Sequence, residues 1–283
     1  MFYEFLCKTG LIFDNMLCHI CGSKMKLINT NGKLVDYMWN CGITTDNVRC
    51  QHRKSIRHAS WFAKSKLSFR NILIITYGLL RRETIESIKF ENCFSSTTTA
   101  DWNSYVREEM VDYIINQSGP IGGPGIIIEI DESKFGKRKN NRGRKVNGTW
   151  VFGGVERESG KCFLQPVEFR DRQTLTDIIK SRILPGTTII SDCWSAYIHL
   201  GKEGYEHLKV NHSLNFKDPE TGAHTNTIEG TWRHVKASLP EYNRQTDFTV
   251  YLADYMFRKY FTAQKKDIVN AFIDIIRNNL YLQ

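Results

Sequence analysis

The sequence predicts an α/β protein preceded by a small cysteine-rich module and a helical region. Three observations carry that expectation. The stretch GIIIEIDESKFGKRK, residues 125–139, is an apolar β-branched run that delivers acids at its end and is followed by a cationic loop. TWVFGGVERES and KCFLQPVEF read as a hairpin turning at Ser159-Gly160, which with the first run makes a three-strand meander. Beyond the meander, helical and strand patterns alternate: TLTDIIKSRI as a helix, TTIISDCW as a buried strand, SAYIHLGKEG as a helix, HLKVNHS as a short strand. NTIEGTWRHVKASLP and the 247–280 segment then read as helices. A meander followed by alternating elements is compatible with a ribonuclease H-like core.

From the N-terminus, the first element with chemical content is a set of cysteines. Cys18 and Cys21 form a CxxC followed by Gly22, and Cys41 and Cys50 follow after gaps of 19 and eight residues. Four thiolates suit tetrahedral Zn²⁺, and a CxxC-Gly knuckle lets two of them converge on one ion. The second pair is more widely spaced than a knuckle, which leaves His52 open as the fourth ligand in place of Cys50. Cys7, Cys93, Cys162 and Cys193 lack ligand spacing and are expected as core thiols. The opening MFYEFLCKTGLIFDNMLC lacks the basic-then-apolar order of a signal peptide, so a reducing intracellular compartment is expected, and no apolar run reaches membrane-span length. These features divide the chain into a zinc-ribbon-like module at 1–60, a helical region at 61–120 and a catalytic core with C-terminal helices at 121–283.

In the second region SKLSFRNILIITYGLLRR, ETIESIKFENC and TTTADWNSYVREEMVDYIINQ have helical spacing, with a short FSS break before the last. Two helices with a tight turn and Ser/Thr at the second N-terminus outline a helix-turn-helix, although a plain helical linker has the same pattern. SGPIGGPG at 118–125 marks the boundary before the first core strand.

Charge points to a polyanionic partner. The 283 residues hold 39 Lys+Arg against 30 Asp+Glu, a formal charge of +9. The excess is clustered in two acid-free patches, one with Arg53, Lys54, Arg57, Lys64, Lys66 and Arg70, the other with Lys134, Lys137, Arg138, Lys139, Arg142, Arg144 and Lys145. Such patches read as phosphate-contacting surfaces or as solvated charge.

The acids of the core strands are harder to account for. A strand interior has no use for unpaired carboxylates. Glu129 and Asp131 share one face of the first strand, with Glu132 on the other. Asp192 ends a second apolar run, where it could be the N-cap of the following helix or share a divalent cation with Asp131. Glu229 lies in a helical segment with Trp232, Arg233 and Lys236 at +3, +4 and +7.

Taken together, IEIDESKFGKRK, ISDCWSAY and HTNTIEGTWRHVK, preceded by CHICGSKM, the WNC and SIR segments and SKLSF, resemble a Merlin-type DDE transposase, related to bacterial insertion-sequence transposases with an ISXO2-like transposase domain. The resemblance spans roughly residues 15–262. It implies an acidic triad at Asp131, Asp192 and Glu229, a following lysine at Lys236, and zinc-binding cysteines at Cys18, Cys21, Cys41 and Cys50. It further implies two Mg²⁺ or Mn²⁺ ions on the triad, cleavage of transposon ends, and joining of their 3′-hydroxyls to target DNA. Arg233 and the Lys137–Lys145 loop would hold DNA phosphates. Double-stranded DNA, a homodimer or larger synaptic assembly, and a nuclear location (cytoplasmic outside eukaryotes) are the remaining implications. A domesticated DNA-binding descendant without cleavage, or a non-transposing nuclease or resolvase of the same fold, stays open at this point.

Overall fold

The strand that carries Asp131 does not end at its acids. In a computed structural model of the chain, which describes residues 2–30, 37–45, 48–117, 119–136, 148–211, 218–219, 222–239 and 248–280, it runs on from Ile127 to Phe135. What ends there instead is the pairing to its parallel neighbour, as set out below. The chain divides into two compact units, Met1–Val106 with Asp267–Gln283, and Arg107–Lys266.

The first unit opens with helix α1 (Phe2–Lys8) and a three-stranded antiparallel sheet of β1 (Lys26–Asn29), β2 (Tyr37–Asn40) and, after the small hairpin β3 (Thr44–Thr45) and β4 (Val48–Arg49), β5 (Arg53–Ser55). The sheet is too small to bury much, and its interior is Cys18, Met25, Trp39 and Cys41. Helices α2 (Phe69–Leu80), α3 (Ile85–Asn92) and α4 (Ser96–Gln117) follow the expected spacing. Each starts on a hydroxyl cap: Ser68 accepts from the Asn71 amide, Thr84 from Ser87 and Ser95 from Thr98. Cys93 closes α3 in the left-handed region at φ 54°, so it is exposed rather than a core thiol. Cys193 is exposed too, and Cys7 and Cys162 are half-buried. Arg57, expected on a basic surface patch, is interior: it is 2% exposed, donates to the Ser65 and Leu67 carbonyls and lies over the Phe69 ring. A guanidinium that ties down loop carbonyls is unavailable to phosphate.

The second unit is built on a five-stranded sheet. After β6 (Ile121–Gly122) come β7 (Ile127–Phe135), β8 (Thr149–Glu156) and β9 (Cys162–Val167), an antiparallel meander whose last turn contains Gly160 at φ +70°. Helix α5 (Arg172–Arg182) and β10 (Ile183–Leu184), which pairs with β6, lead to β11 (Thr188–Asp192) and then β12 (Glu206–Val210). Both of these strands are parallel, β11 to β7 and β12 to β11, giving the order β12-β11-β7-β8-β9. A meander extended by two parallel strands beside its first member is the ribonuclease H-like arrangement, and the core has that fold. Between β11 and β12 the expected helix is replaced by two 3₁₀ turns, Ser195–Tyr197 and Leu200–Glu203. Gly201 and Gly204, the latter at φ +89°, are poor helix residues and break the segment.

Helices cover both faces of the sheet. On one, Ile128, Ile130 and Phe152 meet Leu175, Ile178 and Ile179 of α5 together with Tyr197 and Leu200. On the other, Val151, Val155 and Leu164 meet Ile228, Trp232 and Val235 of α6 (Asn226–Ser238) and Phe248 and Leu252 of α7 (Phe248–Ala263). The final helix, α8 (Ile268–Leu280), belongs to the first unit, where Phe272 packs edge-on to Trp61. Gly153 admits α6: a Cβ there would lie 2.7 Å from Trp232 and 2.8 Å from Leu164.

One buried acid fixes where α6 begins. The N-cap of α6, Thr225, makes no side-chain cap bond. Its place is taken by Glu129 of β7, fully buried, whose carboxylate accepts from the amides of Thr227 (2.7 Å) and Ile228 (3.0 Å) and from the Thr227 hydroxyl (2.9 Å). The Arg157 guanidinium completes the pair, donating to Glu129 at 2.6 Å and to the His224 carbonyl at 2.6 Å. A carboxylate at a helix N-terminus is favoured by both the orphan amides and the macrodipole. Glu129→Ala leaves the amides and the guanidinium without their acceptor, and urea denaturation is expected to register a loss of about 3–5 kcal/mol. A loss under about 1 kcal/mol, the level of a surface pair, would refute this role.

Candidate active site

Three elements of the core bring acids together. The β7–β11 ladder runs from Ile127↔Thr188 to Glu129↔Ile190, and beyond it β7 continues with Asp131 while β11 ends at Asp192. Asp131 therefore sits just past the point where its strand loses its parallel partner. Glu229 arrives from the first turn of α6, placed by the Glu129 cap described above.

Each acid is held by a group of its own. Trp232 Nε1 donates to Asp131 Oδ2 at 2.9 Å, one helical turn after Glu229. The Trp194 amide donates to Asp192 Oδ1 at 3.0 Å, so Asp192 also caps the turn that follows it. The Thr225 hydroxyl donates to Glu229 Oε1 at 3.0 Å. Burial first, and then the charges of Asp192 and Glu229, push the Asp131 carboxyl up to about 6. A carboxyl raised by burial and by two neighbouring acids is a familiar arrangement where a cation belongs.

Lys236 lies further along α6 and donates to Ser133 Oγ at 2.6 Å, close to the Phe135 ring. Arg233 is exposed on the same helix. Lys137, Arg138, Lys139, Arg142, Arg144 and Lys145 lie outside the described residues. Glu132 lies on the opposite face from Asp131, as the strand alternation predicts. Its side chain is 7% exposed, with Arg170 at 3.7 Å, and burial with the nearby Asp131 and Asp192 charges lifts its carboxyl to about 8. Arg157 is a residue the sequence did not single out, because its partners Glu129 and His224 lie 28 and 67 positions away in the chain.

In the first unit the four cysteines form a second cluster. The sulfurs of Cys18, Cys21, Cys41 and Cys50 all lie within 4.8 Å of one another, with Cys18–Cys50 at 3.7 Å and Cys21–Cys41 at 3.4 Å. Tetrahedral zinc with its usual sulfur bonds sets sulfurs about 3.8 Å apart, so the set fits that ion. Cys50 is in the cluster and His52 is not. Gly22 at φ +69° lets its amide bond the Cys18 carbonyl, and the backbone amide of Ser23 holds the Cys21 thiol down at about 6.

Comparison with known proteins finds one family match and several distant likenesses. The profile of the ISXO2-like transposase domain matches residues 119–261. An uncharacterized transposase-like protein of Haemophilus influenzae is 25% identical over 109 residues, covering 38% of this chain and 86% of that protein. Among solved structures, the catalytic core domain of BIV integrase aligns at 14% identity and TM-score 0.31, over 46% of this chain and 80% of its own. The HTLV-2 integrase catalytic core domain in complex with magnesium aligns at 12% identity and TM-score 0.29, over 49% and 86%. The curated relative is bacterial, and neither it nor the family match carries the Merlin or nuclear part of the expectation. Among the described residues, no helix is long and apolar enough to cross a membrane.

The clustered acids make stability depend on pH. Asp131 ionises at 3.8 in an unfolded chain and near 6 in the fold, so above pH 6 the fold bears the full cost of a buried charge, and below pH 4 it bears none. Without Mg²⁺ or Mn²⁺, Asp131→Asn is therefore expected to raise the unfolding free energy by about 1–3 kcal/mol at pH 8 and to change it little at pH 4. Thermal denaturation at the two pH values checks this, and a variant less stable than the parent at pH 8 contradicts it.

Proposed function

The chain belongs to the ISXO2-like transposase domain family, and on that premise we propose that it is a DNA transposase that cleaves transposon ends and joins their 3′-hydroxyls to target DNA. The observation that carries this reading is the meeting of Asp131, Asp192 and Glu229, from two adjacent parallel strands and one helix, where the β7–β11 ladder ends. The donor set is entirely hard oxygen, which suits Mg²⁺ or Mn²⁺, and these three residues would hold two such ions. Bound there, the ions supply the positive charge that polarises the scissile phosphate and makes an attacking hydroxyl more acidic.

The protein's own groups do the positioning. Trp232 fixes the orientation of Asp131, the Trp194 amide that of Asp192, and the Thr225 hydroxyl that of Glu229, so the acids are arranged before substrate arrives. Lys236, tied to Ser133, and the exposed Arg233 offer cations to DNA phosphates along α6. Lys137, Arg138, Lys139, Arg142, Arg144 and Lys145 would hold further DNA phosphates in this reading. Attack by water cuts a strand. Attack by a DNA 3′-hydroxyl forms one phosphodiester as another breaks, so one site serves both steps. Synapsis of two ends calls for a homodimer or larger assembly on double-stranded DNA.

The N-terminal module, residues 1–60, is read as a zinc-ribbon-like DNA-recognition element whose Zn²⁺ is held by Cys18, Cys21, Cys41 and Cys50, with the helices of 61–120 beside it in sequence as a second DNA-binding region. The ion would supply much of the module's folding energy, since its apolar interior is small.

Alanine at Asp131, Asp192 or Glu229 is expected to lower Mg²⁺-dependent cleavage and joining of terminal-repeat DNA on the order of 10³-fold while leaving DNA affinity unchanged. Undiminished cleavage in these variants contradicts the assignment, and a parent protein that binds but never cuts is the domesticated alternative. For the thiol site, elemental analysis should find one zinc per chain, lost in Cys50→Ser and kept in His52→Ala; the opposite pattern would transfer the fourth ligand to His52.

A further inference from the structure

Beside Asp192 lies a cavity of about 390 Å³ whose wall includes Glu132, Arg170, Asp192, Trp194 and Asn211. Its most unusual component is Glu132. The side chain is 7% exposed, its Oε1 is shielded from solvent and has no hydrogen-bond partner among the described residues, and its Oε2 is 3.7 Å from Arg170, beyond hydrogen-bond length. A buried carboxyl left this poorly satisfied costs free energy, and its place in the cavity wall offers an acceptor to a ligand there. The cavity also has a flat, stacked side. The Arg170 guanidinium lies 3.5 Å from the centre of the Trp150 ring and 5.3 Å from that of Trp194, and Trp194 is half-buried on the turn that Asp192 caps. The exposed ring of Phe169 immediately precedes Arg170 in the chain.

We propose that this cavity receives one unstacked DNA base carrying an exocyclic amino group, with Glu132 accepting from the amino group and the Trp194–Arg170 platform stacking on the ring. The inference rests on the transposase reading above, because that reading brings a DNA strand to Asp192. A planar heterocycle matches the aromatic and guanidinium surfaces, and base-on-aromatic stacking contributes substantially to single-strand binding. The polar wall then selects among bases. Adenine, cytosine and guanine each present an amino group to an acceptor, in whichever protonation state Glu132 is found. Thymine has no amino group to offer that acceptor. The cavity is of small-ligand size, so it suits one base taken out of the duplex and not the duplex itself. The base next to the scissile phosphate is the one within reach of Asp192.

Fluorescence anisotropy of short single-stranded hexamers, without Mg²⁺ or Mn²⁺, tests this on the full chain. TTTGTT, TTTATT and TTTCTT are expected to bind about fivefold or more tighter than TTTTTT. That selectivity should vanish in Glu132→Leu, which removes an uncompensated buried acid and so does not endanger folding, and affinity for all four should fall in Trp194→Ala. Equal affinity for the four hexamers, or selectivity that survives Glu132→Leu, overturns the proposal. The readout is independent of catalysis. Lost selectivity with cleavage intact removes the base pocket alone, and selectivity without any cleavage removes the catalytic reading alone.

Discussion

The arrangement of the core depends on a single buried acid. Glu129 lies in the middle of β7 with no solvent contact, and an ionised carboxylate in that position must be fully partnered. Its partners are the first amides of α6 and the Arg157 guanidinium, brought from 98 and 28 positions away along the chain. Satisfying Glu129 thus requires the sheet, the β8 end and α6 to assemble together. Because Glu129 and Asp131 lie on the same face of β7, the lock that seats the helix also sets Glu229 and Trp232 against Asp131. The structural acid Glu129 and the proposed metal ligand Asp131 are two residues apart on one strand, in different surroundings.

The same logic explains the glycines of β8. Asp131 pairs with Gly153 across the ladder, and the missing side chain there is filled by Trp232, whose indole reaches back to the Asp131 carboxylate. Trp232 is at once a core residue, packed with Ile228 and Val235, and the donor that orients a proposed metal ligand. Burial of this kind raises the cost of ionising Asp131 in the absence of cations. That cost is what a bound divalent ion would offset, and it ties the stability of the core to occupancy of the site.

Much of the fold was legible in the sequence because the relevant signals are local. The β-branched runs gave β7 and β11, Ser159-Gly160 gave the β8–β9 turn, and CxxC-Gly gave the thiol cluster. What could not be read depends on distant partners or on competing local preferences. Asp131 looked like a strand terminus because acids usually end strands. β7 in fact continues to Phe135, and only its pairing to β11 stops short. Arg57 looked like surface charge because a sequence of cations does not reveal that one of them is enclosed by loop carbonyls. The helix expected after Asp192 gave way to 3₁₀ turns where two glycines interrupt it. Glu132 was placed on the correct face, but nothing local announces that its oxygens would be buried beside Arg170 and left poorly paired.

The central claim is that Asp131, Asp192 and Glu229 together hold the catalytic ions of a DNA-cleaving and DNA-joining enzyme. Anomalous X-ray scattering from crystals soaked in MnCl₂ addresses it most directly, since it locates the ion without relying on activity. The account predicts manganese at bonding distance from the carboxylates of Asp131 and Asp192, with Glu229 completing the set. Manganese found only elsewhere in the protein, with these carboxylates bare at saturating concentration, would contradict it.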